Sequence, residues 1–139
     1  MKKRIAVLIR EKIENGFNCF LKGMAIGIDS YAAEIVISLK KEFPNISLYD
    51  IVPCANQSCK WNDAQVSRYN SILKQCDNII VLQDAHTSDC MQKRNRYMVE
   101  HSKCVIAIWN GTGSAVKYAL SKKLSITVLH PCTYSVRTL

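Results

Sequence analysis

Residues 104–122 read CVIAIWNGTGSAVKYALSK, and this stretch decides the fold. Apolar residues run without interruption from Cys104 to Trp109, which predicts a buried strand. Glycines and hydroxyl side chains fill residues 110–114, and a helical pattern follows from Ala115 to about Lys122. A buried strand that turns through glycines into a helix is typical of an α/β fold with parallel strands.

The same alternation of helix and strand extends outward from this stretch. Because the strands are apolar throughout, we expect a Rossmann-like three-layer domain, with a mostly parallel sheet and helices on both faces. The tail after residue 129 shows no clear pattern, and one domain is predicted over residues 1–139. Predicted helices cover residues 4–15 (stopped by Asn15-Gly16), 30–42 (capped by Ser30), 63–76 and 91–101, and predicted strands cover residues 17–21, 46–52, 78–82 and 125–129.

Composition restricts the class of protein. A hydrophobic fraction of 48% over 139 residues is enough for one packed core. The sequence has no apolar run of roughly 18 residues and no secretory pattern, so we expect a cytoplasmic protein without membrane contact. Seven scattered cysteines indicate free thiols. Cys54, Cys59, His86 and Cys90 lack a second tight pair, so neither a metal nor a cofactor is predicted.

A net charge of +8 favours anionic partners. The basic residues are spread along helix-like stretches, without interleaved aromatic residues or a recognisable DNA-reading motif. Nucleic acid is therefore kept as an alternative partner, and a phosphate-bearing small molecule is favoured.

Two glycine loops follow predicted strands. Ligands of such sheets bind outside the carboxyl ends of the strands, where residues 23–29 and 110–114 are expected to lie. Glycines let the backbone approach a phosphate, and Thr112 and Ser114 add hydroxyl donors. Asp29 either caps a helix or accepts a sugar hydroxyl. Neither loop fits the Walker or G-x-G-x-x-G pattern, and glycines that only turn the chain are the alternative.

Four segments carry a family resemblance: residues 23–29, 32–34, 90–99 and 110–114. On these the sequence resembles the SLOG superfamily of Rossmann-like domains, related to the LOG/lysine-decarboxylase-like and DprA-like proteins, and within it the DUF1273/YpsA-like branch. The resemblance implies binding of a nucleotide or nucleotide-derived molecule. Phosphoribohydrolases of the superfamily carry a Met-x-x-Arg-Lys run, and Met91 and Arg94 match it while Asn95 replaces the lysine.

The resemblance also sets the expected activity. Lys117 stands where the related hydrolases carry a catalytic Glu, and an ammonium cannot activate water or stabilise a sugar cation. Binding, for sensing or sequestration, is therefore predicted with no catalytic residue. A nucleoside 5′-monophosphate phosphoribohydrolase, using Glu34 or Asp29 as the acid, and a DNA-associated accessory protein are the alternatives. The predicted ligand-binding residues are Gly23, Met24, Gly27, Asp29, Arg94, Trp109, Asn110, Gly111, Thr112, Gly113, Ser114 and Lys117.

The start of the chain departs from the branch. Relatives open with a strand and a Gly-His-Arg loop, whereas here Met1-Lys2-Lys3 leads directly into the first helix. Three explanations stay open: a reorganised sheet, a second chain over the gap, or an incomplete start. We expect a homo-oligomer with its site near the interface. Since some members of the superfamily sense cyclic nucleotides of antiphage defence, a phage-borne sponge is one form of the predicted function.

Overall fold

The computed structural model describes residues 2–23, 28–56, 61–108 and 115–139. Helices and strands alternate through these ranges, as the sequence predicts. The chain divides into two compact units, Lys2–Arg94 and Asn95–Leu139, and a single domain over residues 1–139 stays a prediction. The elements are α1 (Lys2–Glu14), β1 (Cys19–Gly23), α2 (Ile28–Leu39), β2 (Ser47–Val52), α3 (Asp63–Lys74), β3 (Asn78–Val81), α4 (Cys90–Glu100), β4 (Cys104–Ile108), α5 (Ala115–Ser121), β5 (Ser125–Leu129) and β6 (Val136–Thr138).

The N-terminal unit contains a three-stranded sheet in the order β1-β2-β3, and both strand pairs are parallel. Parallel neighbours need a crossover, and the helices between these strands supply it. Leu48 and Ile51 of the central strand β2 are fully buried, and Ile72 of α3 is 2% exposed. The predicted α/β fold class is therefore confirmed.

The C-terminal unit pairs β4 with β5 in parallel and β5 with β6 antiparallel. Strand β6 was not predicted, because its three residues are all exposed and carry no apolar pattern. Its position depends on hydrogen bonds to β5, such as the one from the Leu139 N–H to the Ile126 carbonyl at 2.8 Å. The core of this unit consists of Val99, Val116, Ala119, Ile126 and Val128.

The end of α1 confirms the predicted stop. Gly16 has a φ of 97°, its N–H donates to the Ile13 carbonyl, and the Phe17 N–H donates to the Lys12 carbonyl, both at 3.0 Å. These two bonds form a Schellman motif, which satisfies the last carbonyls of the helix and needs a residue that tolerates positive φ.

The predicted cap of the second helix is wrong. Helix α2 begins at Ile28, so Ser30 lies within its first turn. Ser30 is 7% exposed and shares a helix face with the fully buried Ala33, three residues later. Packing of this face therefore outweighs the preference of serine for the capping position.

Strand β3 differs from the prediction that helices cover the strands on both faces of the sheet. Ile79 and Val81 are 42% and 48% exposed. The strand lies at the edge of its sheet, where fewer elements cover its side chains. Among the described helices, none combines the length and the apolar character needed to cross a membrane.

Candidate functional site

The carboxyl ends of β1, β2 and β3 lie at one edge of the N-terminal sheet, because all three strands run in parallel. Gly23 is the last residue of β1, and α2 begins at Ile28. The first glycine loop therefore has the predicted strand before it and the predicted helix after it. Met24 and Gly27 lie outside the described residues, and the backbone of Asp29 belongs to the first turn of α2.

The second glycine loop is also flanked as predicted. Strand β4 ends at Ile108 and α5 begins at Ala115. Lys117 is an exposed residue in the first turn of α5, so its charge lies at the helix end that follows the loop. Six predicted ligand residues of this second segment also lie outside the described part of the chain: Trp109, Asn110, Gly111, Thr112, Gly113 and Ser114.

Arg94 is the predicted ligand residue that the structure describes most fully. It is the fifth residue of α4 and is only 8% exposed, whereas Arg96 is exposed. Residues i and i+2 of a helix point in directions about 200° apart. One of the two arginines therefore faces inward and the other outward. Arg94 is therefore the less exposed arginine of the two, and its position facing a ligand pocket stays a prediction.

Sequence reasoning missed a buried ion pair close to the carboxyl edge. Lys22 of β1 and Asp50 of β2 are register partners on neighbouring strands. The Lys22 Nζ lies 3.8 Å from the Asp50 Oδ1, and the two residues are 6% and 0% exposed. The available signal was Asp50 inside the predicted strand 46–52, since aspartate is seldom fully buried unless paired, whereas Lys22 lay outside the predicted strand 17–21.

Two further titratable groups surround Asp50. The thiol of Cys76 points to the Asp50 Oδ2 at 3.8 Å. Burial, reinforced by the Asp50 charge, raises the pKa of Cys76 to about 11 and that of Tyr69 to about 12. Both groups therefore stay protonated at neutral pH.

Glu34, one candidate for the missing acid, is part of a surface ion pair. Its Oε1 accepts hydrogen bonds from Nε and Nη2 of Arg68. The Arg68 guanidinium also lies over the ring of Tyr31, 4.7 Å from the centroid. These contacts account for Glu34 without a catalytic role. Trp61 packs edge-on against Tyr69, with ring centroids 5.1 Å apart.

In each unit parallel strands alternate with helices, and the glycine segments follow parallel strands in the chain. This arrangement is that of a Rossmann-like α/β protein. Residues 1–134 match the YpsA family, described as the YspA SLOG family, and the chain belongs to that family. The chain is also 30% identical over 135 residues to the uncharacterized SPbeta prophage-derived protein YoqJ of Bacillus subtilis, a match that covers 87% of this chain and 78% of that protein.

Two UPF0398 proteins are similar as well. SERP1017 of Staphylococcus epidermidis is 29% identical over 115 residues, and BH1768 of Halalkalibacterium halodurans is 29% identical over 112 residues. Each match covers 79% of this chain but only 60% and 59% of the relatives. The chain thus spans about three fifths of the length of these relatives.

Proposed function

We propose that this chain binds a nucleotide or nucleotide-derived molecule through a phosphate group at the carboxyl edge of its parallel strands, for sensing or sequestration. Membership of the SLOG family and the strand–loop–helix order around both glycine segments support this. YoqJ is described as prophage-derived. That description favours sequestration of a signalling nucleotide as the form of the function.

The observation that carries the proposal is the burial of Arg94. Removing a guanidinium from water costs free energy, and a protein keeps such a group buried where it forms charge-assisted hydrogen bonds. The planar guanidinium also matches the geometry of phosphate oxygens. Arg94 lies in the second turn of α4, the helix that follows β3 and its loop, and ligands of parallel sheets commonly bind near such loops, which supports the proposal.

Calorimetric titration with mono-, di- and cyclic nucleotides and ADP-ribose derivatives tests the proposal. We expect one class to bind, and Arg94→Ala to weaken its affinity about 10- to 100-fold, as for the loss of a charge-assisted hydrogen bond. Lys93→Ala is the matched control, because Lys93 is an adjacent cation with a side chain that is 57% exposed. The affinity of the Lys93→Ala variant is expected to stay within about twofold of the wild-type affinity.

Chromatography of each mixture after titration distinguishes the alternatives. Ligand recovered intact is expected. Free base and sugar phosphate would instead identify a phosphoribohydrolase. Absence of nucleotide binding, together with binding of duplex DNA that weakens steeply with salt, would identify a DNA-associated protein.

A further inference from the structure

Helices α1, α2 and α3 of the N-terminal unit begin at the same end of its sheet. Helices α2 and α3 each follow the carboxyl end of a parallel strand in the chain. Lys2, the first residue of α1, contacts Tyr31 in the first turn of α2. At the other end of α1, Arg10 pairs with Glu42, beyond the last residue of α2. Helix α1 therefore runs parallel to α2, and all three helices begin towards the carboxyl edge, where the proposed ligand binds.

A cluster of charged side chains around one aromatic ring joins these three helices. The Lys2 Nζ lies 3.9 Å from the centroid of the Tyr31 ring, and the Arg68 Cζ of α3 lies 4.7 Å from the same centroid. Glu34, almost one turn after Tyr31 on α2, accepts hydrogen bonds from Nε and Nη2 of Arg68. The Arg68 side chain is held by these contacts and is still 35% exposed. We call Lys2, Tyr31, Glu34 and Arg68 the edge cluster.

The edge cluster carries more positive than negative charge. Glu34 pairs with Arg68, whereas Lys2 forms no ion pair with a side chain that the structure describes. The two cations approach the same ring, so they repel one another, and a single carboxylate offsets only one of them. A guanidinium also has more N–H donors than Glu34 engages. The edge cluster is therefore able to bind an anion from outside the chain, through charge and through hydrogen bonds.

A second arginine cluster, at the opposite end of α2, has a different charge balance. Arg10 pairs with Glu42 at 2.6 Å and lies over the ring of Phe43, 5.5 Å from its centroid. This arrangement has one cation for one carboxylate, and it lies towards the amino edge of the sheet. An arginine held by a carboxylate and a ring thus does not by itself indicate a ligand. The additional cation and the position at the carboxyl edge distinguish the edge cluster.

We propose that the edge cluster binds a second anionic group of the ligand, with Arg68 as the main donor and Lys2 as an additional charge. The inference rests on the proposed function, in which a first phosphate binds at the carboxyl edge. It narrows the ligand class to nucleotide derivatives with two linked phosphates, such as a nucleoside diphosphate or a diphosphate-bridged dinucleotide. Arg68 suits this role because its planar fork matches phosphate oxygens, and its contacts with Glu34 and Tyr31 already restrict the side chain.

Inorganic pyrophosphate and phosphate test this preference without a requirement for the correct base. Both anions are titrated into the protein, and binding is followed by amide chemical shifts in nuclear magnetic resonance spectra. The wild type is expected to bind pyrophosphate about 10-fold more tightly than phosphate. Arg68→Ala should reduce this ratio to about two, because the donor to the second phosphate is lost, and should leave the affinity for phosphate within about twofold. Lys2→Ala should reduce the ratio about threefold, since it removes only an exposed charge.

Arg10→Ala is the matched control. It removes an arginine that also has a carboxylate and a ring as partners, but at the amino edge of the sheet. Both affinities of this variant are expected to equal those of the wild type. The amide spectra of each variant without added anion check that the chain stays folded.

Three results would overturn the proposal. A wild-type ratio that Arg68→Ala leaves unchanged would exclude Arg68 from binding, while the phosphate site of the proposed function would stand. Equal losses of both affinities in Arg68→Ala would show that Arg68 serves the first phosphate or the fold, and that no second anionic group is bound there. A wild type that binds neither anion would count against the proposed function as well as against the edge cluster.

Discussion

Lys22 and Asp50 lie opposite one another on neighbouring parallel strands, with 3.8 Å between the ammonium nitrogen and the carboxylate Oδ1. Both are buried, and the carboxylate also faces the thiol of Cys76. A pair of this kind adds little stability compared with apolar residues, but the loss of one partner leaves a charge in a medium of low dielectric constant. The pair should therefore behave as a unit when it is mutated.

We expect Lys22→Met or Asp50→Leu alone to lower the free energy of unfolding by about 3–5 kcal/mol. The double variant should lose much less than the sum, because neither charge is then left alone. Urea unfolding of the four proteins gives the coupling energy. Arg10→Met and Glu42→Leu serve as a surface control, since that ion pair is largely exposed. Additive losses at Lys22 and Asp50 would contradict coupling.

The thiol of Cys76 predicts a loss of stability in alkali. Burial, followed by the Asp50 charge, raises its pKa from 9.0 to about 11, so the folded protein keeps this proton to a higher pH than the unfolded chain. The contribution of Cys76 to stability is therefore complete below about pH 9 and falls as the pH rises towards 11.

Comparison with Cys76→Ala isolates this effect. Between pH 9 and 11 the wild type should lose about 1–2 kcal/mol relative to the variant, an amount reduced for the partial exposure of the thiol. Urea unfolding at pH 7, 9 and 10.5 measures the difference. Ser71→Ala, which changes a residue in the last turn of α3 and removes no titratable group, should show no such trend. A constant difference between wild type and Cys76→Ala would refute the prediction.

The turn that follows α5 contains a residue with positive φ. Lys123 has a φ of 61°, and the Leu124 N–H donates to the Ala119 carbonyl at 3.2 Å, the bond that closes a Schellman motif. Because a side chain is unfavourable in this conformation, Lys123→Gly should raise the free energy of unfolding by about 1 kcal/mol.

Gly16→Ala provides the opposite test of the same conformation. Gly16 has a φ of 97° and no atom within 4 Å of the position that an added Cβ would occupy. Backbone strain alone should then lower the free energy of unfolding, by about 1 kcal/mol or more. Thermal and urea unfolding of both variants checks the two signs. Unchanged stability in both would show that neither helix end depends on its left-handed residue.

A capping box fixes the start of α3. The Asn62 side chain accepts a hydrogen bond from the Gln65 N–H at 2.8 Å, and the Gln65 side chain accepts one from the Asn62 N–H at 3.0 Å. We expect Asn62→Ala to cost about 1 kcal/mol, whereas Asn62→Asp keeps an acceptor and should be nearly neutral. Equal unfolding midpoints for the two variants would contradict this role.

Features that depend on residues close together in the chain were predictable from the sequence. The alternation of apolar strands with amphipathic helices gave the α/β class because each period reflects which side chains face the core. Asn15-Gly16 ends α1 because a glycine meets the positive φ of that turn. The two-residue spacing of Arg94 and Arg96 required that they point to different sides of α4, and the burial of Arg94 beside the exposed Arg96 agrees with that spacing.

Other features were decided only when distant segments met. Strand β6 exists because β5 offers a free edge, Ser30 lies inside α2 because its helix face packs, and Lys22 finds Asp50 through the register of two strands. A local pattern records whether a side chain prefers water or the core. It does not record which segment pairs with which, because that choice depends on the total free energy of packing and hydrogen bonding in the folded chain.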